Sequence, residues 1–279
     1  MKRIHSYILV FILFIVGLGI LLYPSISNWY NEQYHIESIL SYDTAIEETA
    51  DQVLEQELQK ARNYNNALTG EGVIDPFIPN ATHELPPDYL SILNVNDGVM
   101  GSLSIPAIGV ELPIYHGTTQ AVLEKGIGHM ELTAFPVGGE GTHSVLTGHT
   151  GLPSAKLLTD LDQLQEGDEF FIKVQKQVIA YRVDQILVVD PDNTKSLVPV
   201  PGEDYITLVT CTPYGINSHR LLVRGVRIPY EESELIDQVV TEHGRRLNLL
   251  PYMLLGALLL IIVIIISYHL IHKKQKVRR

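Results

Sequence analysis

Hydrophobic and polar positions follow one another in distinct regimes along this chain. From Tyr7 to Tyr23 almost every position is apolar, preceded by Lys2, Arg3 and His5. That is the pattern of a signal segment or a membrane helix, but no small-residue cleavage pattern follows it. Tyr23-Pro24-Ser25-Ile26 reads as a membrane interface, so a retained anchor is expected. From Asn28 to Leu68 the chain is polar, with Ile36, Ile39, Leu40, Ile46, Val53, Leu54 and Leu58 at mostly helical spacing. This predicts one or two amphipathic helices, ended by Gly70 and Gly72. Val73 to Pro87 holds four prolines and no periodicity, which predicts a surface loop.

From Gly101 onward the regime changes to short runs of strand character. These are Leu103–Pro106, Val110–Tyr115, His143–Thr147, Glu169–Val174, Val178–Val189, Ile206–Cys211 and Leu221–Ile228. Two helical patterns, Thr119–Lys125 and Ala155–Leu164, interrupt them. Short strands at such spacing predict a closed or nearly closed β-barrel with helical insertions. An acidic stretch, Tyr230–His243, leads to Leu249–Ile271, which contains no Asp, Glu, Lys or Arg. At helical rise that segment reaches about 34 Å, enough to cross a bilayer.

Charge then orients the chain. Lys273, Lys274, Lys276, Arg278 and Arg279 outnumber Arg245 and Arg246 on the other flank, and Lys2 and Arg3 open the sequence, so both termini are expected in the cytoplasm. All 32 acidic residues fall between the two apolar segments against 13 basic ones, a formal charge of −19 that excludes a nucleic-acid partner. Cys211 is the single cysteine, so an internal disulfide is impossible and a free thiol remains.

A lone cysteine is as a rule a small buried hydrophobe. Here the flanks argue otherwise. Ile206–Thr210 and Leu221–Ile228 read as strands, and Pro213, Gly215 and Asn217 supply turn chemistry between them. Antiparallel pairing across that turn makes Cys211 and Arg220 neighbours, and a cation beside a thiol favours its thiolate. A nucleophilic cysteine also needs a proton-handling partner, commonly histidine. Of eleven histidines, His116, His129, His143, His149 and His219 lie in the strand-rich region. His149 stands on a glycine-flanked turn after a strand, Thr147-Gly148-His149-Thr150-Gly151, where a side chain can be aimed into a cleft. Spacing alone leaves the other four open. For the cation, Arg224 on the same strand face rivals Arg220. No histidine or carboxylate cluster has metal-site spacing and no glycine-rich phosphate loop occurs, so no cofactor is expected.

Thr147-Gly148-His149, Leu208-Val209-Thr210-Cys211-Thr212-Pro213-Tyr214 and His219-Arg220 together resemble the sortases, surface transpeptidases of Gram-positive bacteria. Three further features resemble class C, the pilin-polymerising sortases. Asp75-Pro76-Phe77 is similar to that class's lid motif. Met100–Pro106 and Leu112–Gly117 are similar to its first strands, and a second membrane helix with a basic tail is similar to its architecture. Thr150 departs from the pattern, since many class C members carry arginine there.

The resemblance implies a mainly β fold, a closed barrel of about eight strands with short helices, preceded by N-terminal helices and a lid loop and flanked by two transmembrane helices. Its parts would be an N-terminal tip and membrane helix (1–27), amphipathic helices and lid (28–99), the catalytic barrel (100–230), a linker (231–248), a membrane helix (249–271) and a basic cytoplasmic tail (272–279). It implies that Cys211 attacks the Thr-Gly carbonyl of an LPXTG-type sorting signal to form a thioester. His149 would protonate the leaving amine and then deprotonate the incoming one, a pilin lysine, while Arg220 stabilises the oxyanion. Asp75 would face Arg220 and Phe77 would cover Cys211, with Pro76 between them. The implied partners are pilin subunits with such signals, a lysine amine of another pilin, and the membrane. Anchoring to the cell-wall cross-bridge, hydrolysis by a cysteine peptidase, and peptide binding without catalysis are the alternatives.

Overall fold

The computed structural model describes residues 2–68, 73, 75–77, 88–95 and 98–230, with Gly256 and Ile261, and gives the backbone alone for 2–11. The chain divides into two compact units, Met1–Glu242 and His243–Arg279. The linker 231–248 and nearly all of the predicted span Leu249–Ile271 lie outside the described residues. Among those described, one helix is long and apolar enough to cross a membrane.

That helix, α1, runs unbroken from Lys2 to Glu48, through Pro24. The apolar segment and the amphipathic stretch after it are therefore one element. Ser27, Asn31, His35, Ile39, Tyr42 and Ile46 recur at three- and four-residue steps and form its barrel-facing row. Helix α2 (Asp51–Ala67) buries Leu54, Leu58, Ala61 and Asn65. It ends at Leu68, before the expected glycine stop.

Buried polar atoms lock both helices onto the barrel. The Tyr42 hydroxyl donates to the Met100 carbonyl at 3.0 Å and accepts from the Gln175 amide at 2.8 Å. The Asn65 amide side chain clamps both backbone groups of Phe135, at 3.0 and 2.7 Å. Each bond satisfies a group that burial would otherwise penalise.

Eight strands close the barrel in the order β1-β2-β3-β4-β7-β8-β6-β5. They are β1 (Val99–Ile105), β2 (Val110–His116), β3 (Ile127–His129), β4 (Thr142–Thr147), β5 (Glu169–Val174), β6 (Gln177–Val189), β7 (Asp204–Thr212) and β8 (His219–Ile228). Two contacts are parallel, β2 with β3 and β4 with β7. The interior is filled by alternate residues such as Leu103, Ile114, Ile127, Leu146, Phe170, Ile172, Leu208 and Val223, all essentially without solvent contact. Gly225 is required there, because a Cβ would lie 2.5 Å from the Phe170 ring.

One strand, β3, is absent from the runs read in the sequence, and one expectation is corrected. The three-residue β3 is too short and too glycine-flanked to carry an alternating pattern. Ala155–Leu164 is not a helix: only Leu161–Gln163 forms a 3₁₀ turn, and Leu157, Leu158, Leu161 and Leu164 face the core from an irregular loop. Core packing, not helix formation, accounts for that apolar spacing. The shorter pattern does fold, as α3 (Gln120–Leu123), capped by the Thr119 side chain.

Candidate active site

The parallel pairing of β4 with β7 sets the site. Thr147 stands beside Val209, so two positions further along are His149 and Cys211. The pairing is carried past the strand end by three bonds. The Gly148 amide donates to the Val209 carbonyl at 3.1 Å, and the Thr147 and Thr210 hydroxyls donate to the Val209 and Gly148 carbonyls at 3.1 and 2.8 Å. Gly148 is closely packed, since a Cβ there would lie 2.8 Å from Ile127 Cδ1 and 3.2 Å from Leu158 and would make those side chains shift. Gly151 takes φ +73° under the Tyr214 ring. The turn bearing His149 is thus shaped by close approach on one side and a left-handed residue on the other.

On the other side of Cys211 lies Arg220, its direct antiparallel partner across β7 and β8. The chain between them turns with both Ile216 and Asn217 amides donating to the Pro213 carbonyl. Both members of the pair are buried, Cys211 at 8% exposure and Arg220 at 5%.

Arg220 is held by a fork. Its Nε donates to Asp75 Oδ2 at 2.5 Å and its Nη2 to Asp75 Oδ1 at 3.2 Å, while Nη1 reaches the Asn217 and His219 carbonyls. Asp75 also accepts the Phe77 amide at 2.7 Å, folding Asp75-Pro76-Phe77 into a turn. The Phe77 ring lies 5.2 Å from the His149 ring, centre to centre, and 5.2 Å from Arg220 Cζ. The aspartate therefore covers the guanidinium, and the phenyl ring covers the imidazole.

This closure has an electrostatic cost. Burial pushes the Cys211 thiol up, Arg220 opposes that rise, and Asp75 adds to it. Burial pulls His149 down, with Glu124 opposing. Both shifts favour the uncharged thiol and imidazole over the thiolate and imidazolium.

The rival residues are occupied elsewhere. Arg224 forks onto Asp184 at 3.0 and 2.7 Å and stacks on Tyr205 at 4.2 Å. His116 and His129 are buried against backbone carbonyls, and His143 is bonded to Thr207. His219 is half-buried beside Ser218 and Asp190. Thr210 was not singled out by its sequence, although it stands next to Cys211. Among the described residues no cluster of three acidic, histidine or cysteine side chains could hold a metal.

The chain is similar to known proteins across the barrel. The sortase domain model matches residues 103–228. A pilus-related sortase C of Group B Streptococcus is 43% identical, with a TM-score of 0.64 over 68% of this chain and 96% of that one. Sortase C-1 of Actinomyces oris is 47% identical, with a TM-score of 0.60 over 63% of this chain and 99% of that one. Sortase A of Bacillus anthracis is 30% identical over 142 residues, which span 66% of its own length and 50% of this chain.

Proposed function

The chain belongs to the sortase family of cysteine transpeptidases, and on that premise we propose that it joins pilin subunits at the cell surface. Cys211, as thiolate, attacks the Thr-Gly carbonyl of an LPXTG-type sorting signal. The carbon–nitrogen bond breaks as His149 delivers a proton to the departing amine, leaving an acyl thioester on sulfur. A lysine amine of a second pilin then attacks the thioester and gives its proton to His149. An isopeptide bond forms as the carbon–sulfur bond breaks, and the sulfur leaves as the thiolate, which restores the starting pair. Arg220 holds the substrate backbone and the developing oxyanion through its planar fork.

The observation that supports this reading best is that one buried ion pair, Asp75 with Arg220, occupies the guanidinium a substrate would need. Asp75-Pro76-Phe77 thus acts as a lid that mimics an anionic ligand and must leave before catalysis. Two membrane helices with both termini cytoplasmic would hold the barrel outside the cell.

The test offers the protein a sorting-signal peptide with either a lysine-bearing acceptor or water. An isopeptide product that requires Cys211 is expected. Hydrolysis alone, with the amine present in excess, would make the chain a peptidase, and transfer only to cell-wall cross-bridge peptides would make it an anchoring enzyme.

A further inference from the structure

Two sets of apolar side chains face solvent at one end of the molecule. On α1, Tyr23, Ile26, Trp29 and Tyr30 point away from the barrel, Tyr30 at 67% exposure. On the turn between β7 and β8, Tyr214 and Ile216 stand 69% and 72% exposed. Large hydrophobic and aromatic groups in water need an explanation when they cluster.

A single loop ties the two sets together. The Ser27 hydroxyl and the Asn31 amide both donate to the Ser154 carbonyl, at 3.1 and 2.7 Å, and the Lys156 amide donates to Asn28 Oδ1 at 2.8 Å. Three residues before Ser154 is Gly151, against which the Tyr214 ring packs. Helix α1 thus grips the loop that leads away from His149, and that loop touches the turn that follows Cys211.

Distance along α1 supplies the rest. Asn31 is eight residues from Tyr23, the end of the apolar segment, or about 12 Å at helical rise. That is the depth of the polar interface of a bilayer, where tryptophan and tyrosine concentrate because they present an apolar body and a polar edge. With no break in the helix, the grip on Ser154 holds the catalytic end of the barrel at that level.

We infer that the catalytic end of the barrel rests on the membrane surface, with Tyr23, Ile26, Trp29 and Tyr30 of α1 and Tyr214 and Ile216 of the β7–β8 turn seated in the lipid interface. This rests on the membrane anchoring in the proposed function and adds to it an orientation. The mouth at Cys211 faces lipid, so it meets a substrate that is itself held at the membrane.

The chain reports on this directly, since Trp29 is its only tryptophan. The full-length protein is placed in phosphatidylcholine nanodiscs. Trp29 emission is compared with and without bromine on the upper acyl chain. In a Cys211→Ala background, Tyr214→Cys or, at the other end of the barrel, Glu140→Cys carries a fluorophore, and the lipid headgroups carry a nitroxide. Quenching of about twofold is expected at Trp29 and at position 214, with little at position 140. Absence of quenching at Trp29 or at 214 overturns the inference. So does equal quenching at 214 and 140, and so does a label at 214 that responds to sorting-signal peptide but not to lipid. Transfer of peptide to an amine, measured on the unlabelled protein, stands or falls separately.

Discussion

Arg220 is a cation almost without water, and Asp75 is what makes that tolerable. Removing one member of a buried pair strands the other charge, at a cost of about 3–5 kcal/mol when nothing moves. On the lid role proposed above, Asp75→Asn is expected to release the loop instead. Loss of the carboxylate also removes one of the influences that raise the thiol, so the Cys211 pKa falls. The pH profile of Cys211 alkylation should shift to lower pH, with faster modification at neutral pH; an unshifted profile contradicts the lid.

Arg220→Lys keeps the charge and loses the fork. Loss of transition-state hydrogen bonding of this kind lowers kcat by about 10²–10³. Transfer kinetics with a sorting-signal peptide would check it, and alkylation of Cys211 should survive. At this scale the sequence was informative for a definite reason. Cys211 and Arg220 flank one turn, so local pairing brings them together. Asp75 is 145 residues from Arg220, and no local rule links them; the resemblance of Asp75-Pro76-Phe77 to a lid motif carried that part.

At the scale of elements, catalytic geometry depends on how β4 ends beside β7. Thr210→Val keeps the shape of the side chain and deletes the hydroxyl that holds the Gly148 carbonyl. The buried carbonyl is left short of a donor, costing about 1–3 kcal/mol of stability. His149, one residue on, loses its fixed position. We expect a drop of about tenfold in kcat with KM little changed, and recovery in Thr210→Ser, whose hydroxyl restores the bond. A kcat that stays at the parental value in Thr210→Val contradicts the positioning role. The long strands were legible because one face of each fills the barrel. β3 was not, because three residues cannot show a period of two. The loop 155–164 mimicked a helix because its leucines fall at helical spacing while serving the core from irregular backbone.

For the molecule as a whole, two buried histidines away from the site set its tolerance of acid. Burial holds His129 at about 3 and His143 at about 4. In the unfolded chain each takes up a proton near pH 6.5. Below that the unfolded state binds protons the folded state refuses, so stability present above pH 6.5 is lost as pH falls. Each histidine contributes up to about 1.4 kcal/mol per pH unit, His143 down to about pH 4 and His129 further. Urea unfolding between pH 7 and pH 4.5 should show this slope, and His129→Gln should reduce it. A flat profile contradicts the buried, neutral state of both rings.

The account as a whole turns on the sulfur of Cys211 accepting an acyl group with the help of His149. Intact-mass measurement of the Asp75→Asn protein after incubation with an LPXTG-type peptide tests this most directly. A gain equal to the peptide up to its threonine, removed by hydroxylamine and absent in Cys211→Ala, is expected, with strongly reduced yield in His149→Ala. No such gain in the lid-opened protein, or a gain that persists without Cys211, would contradict it.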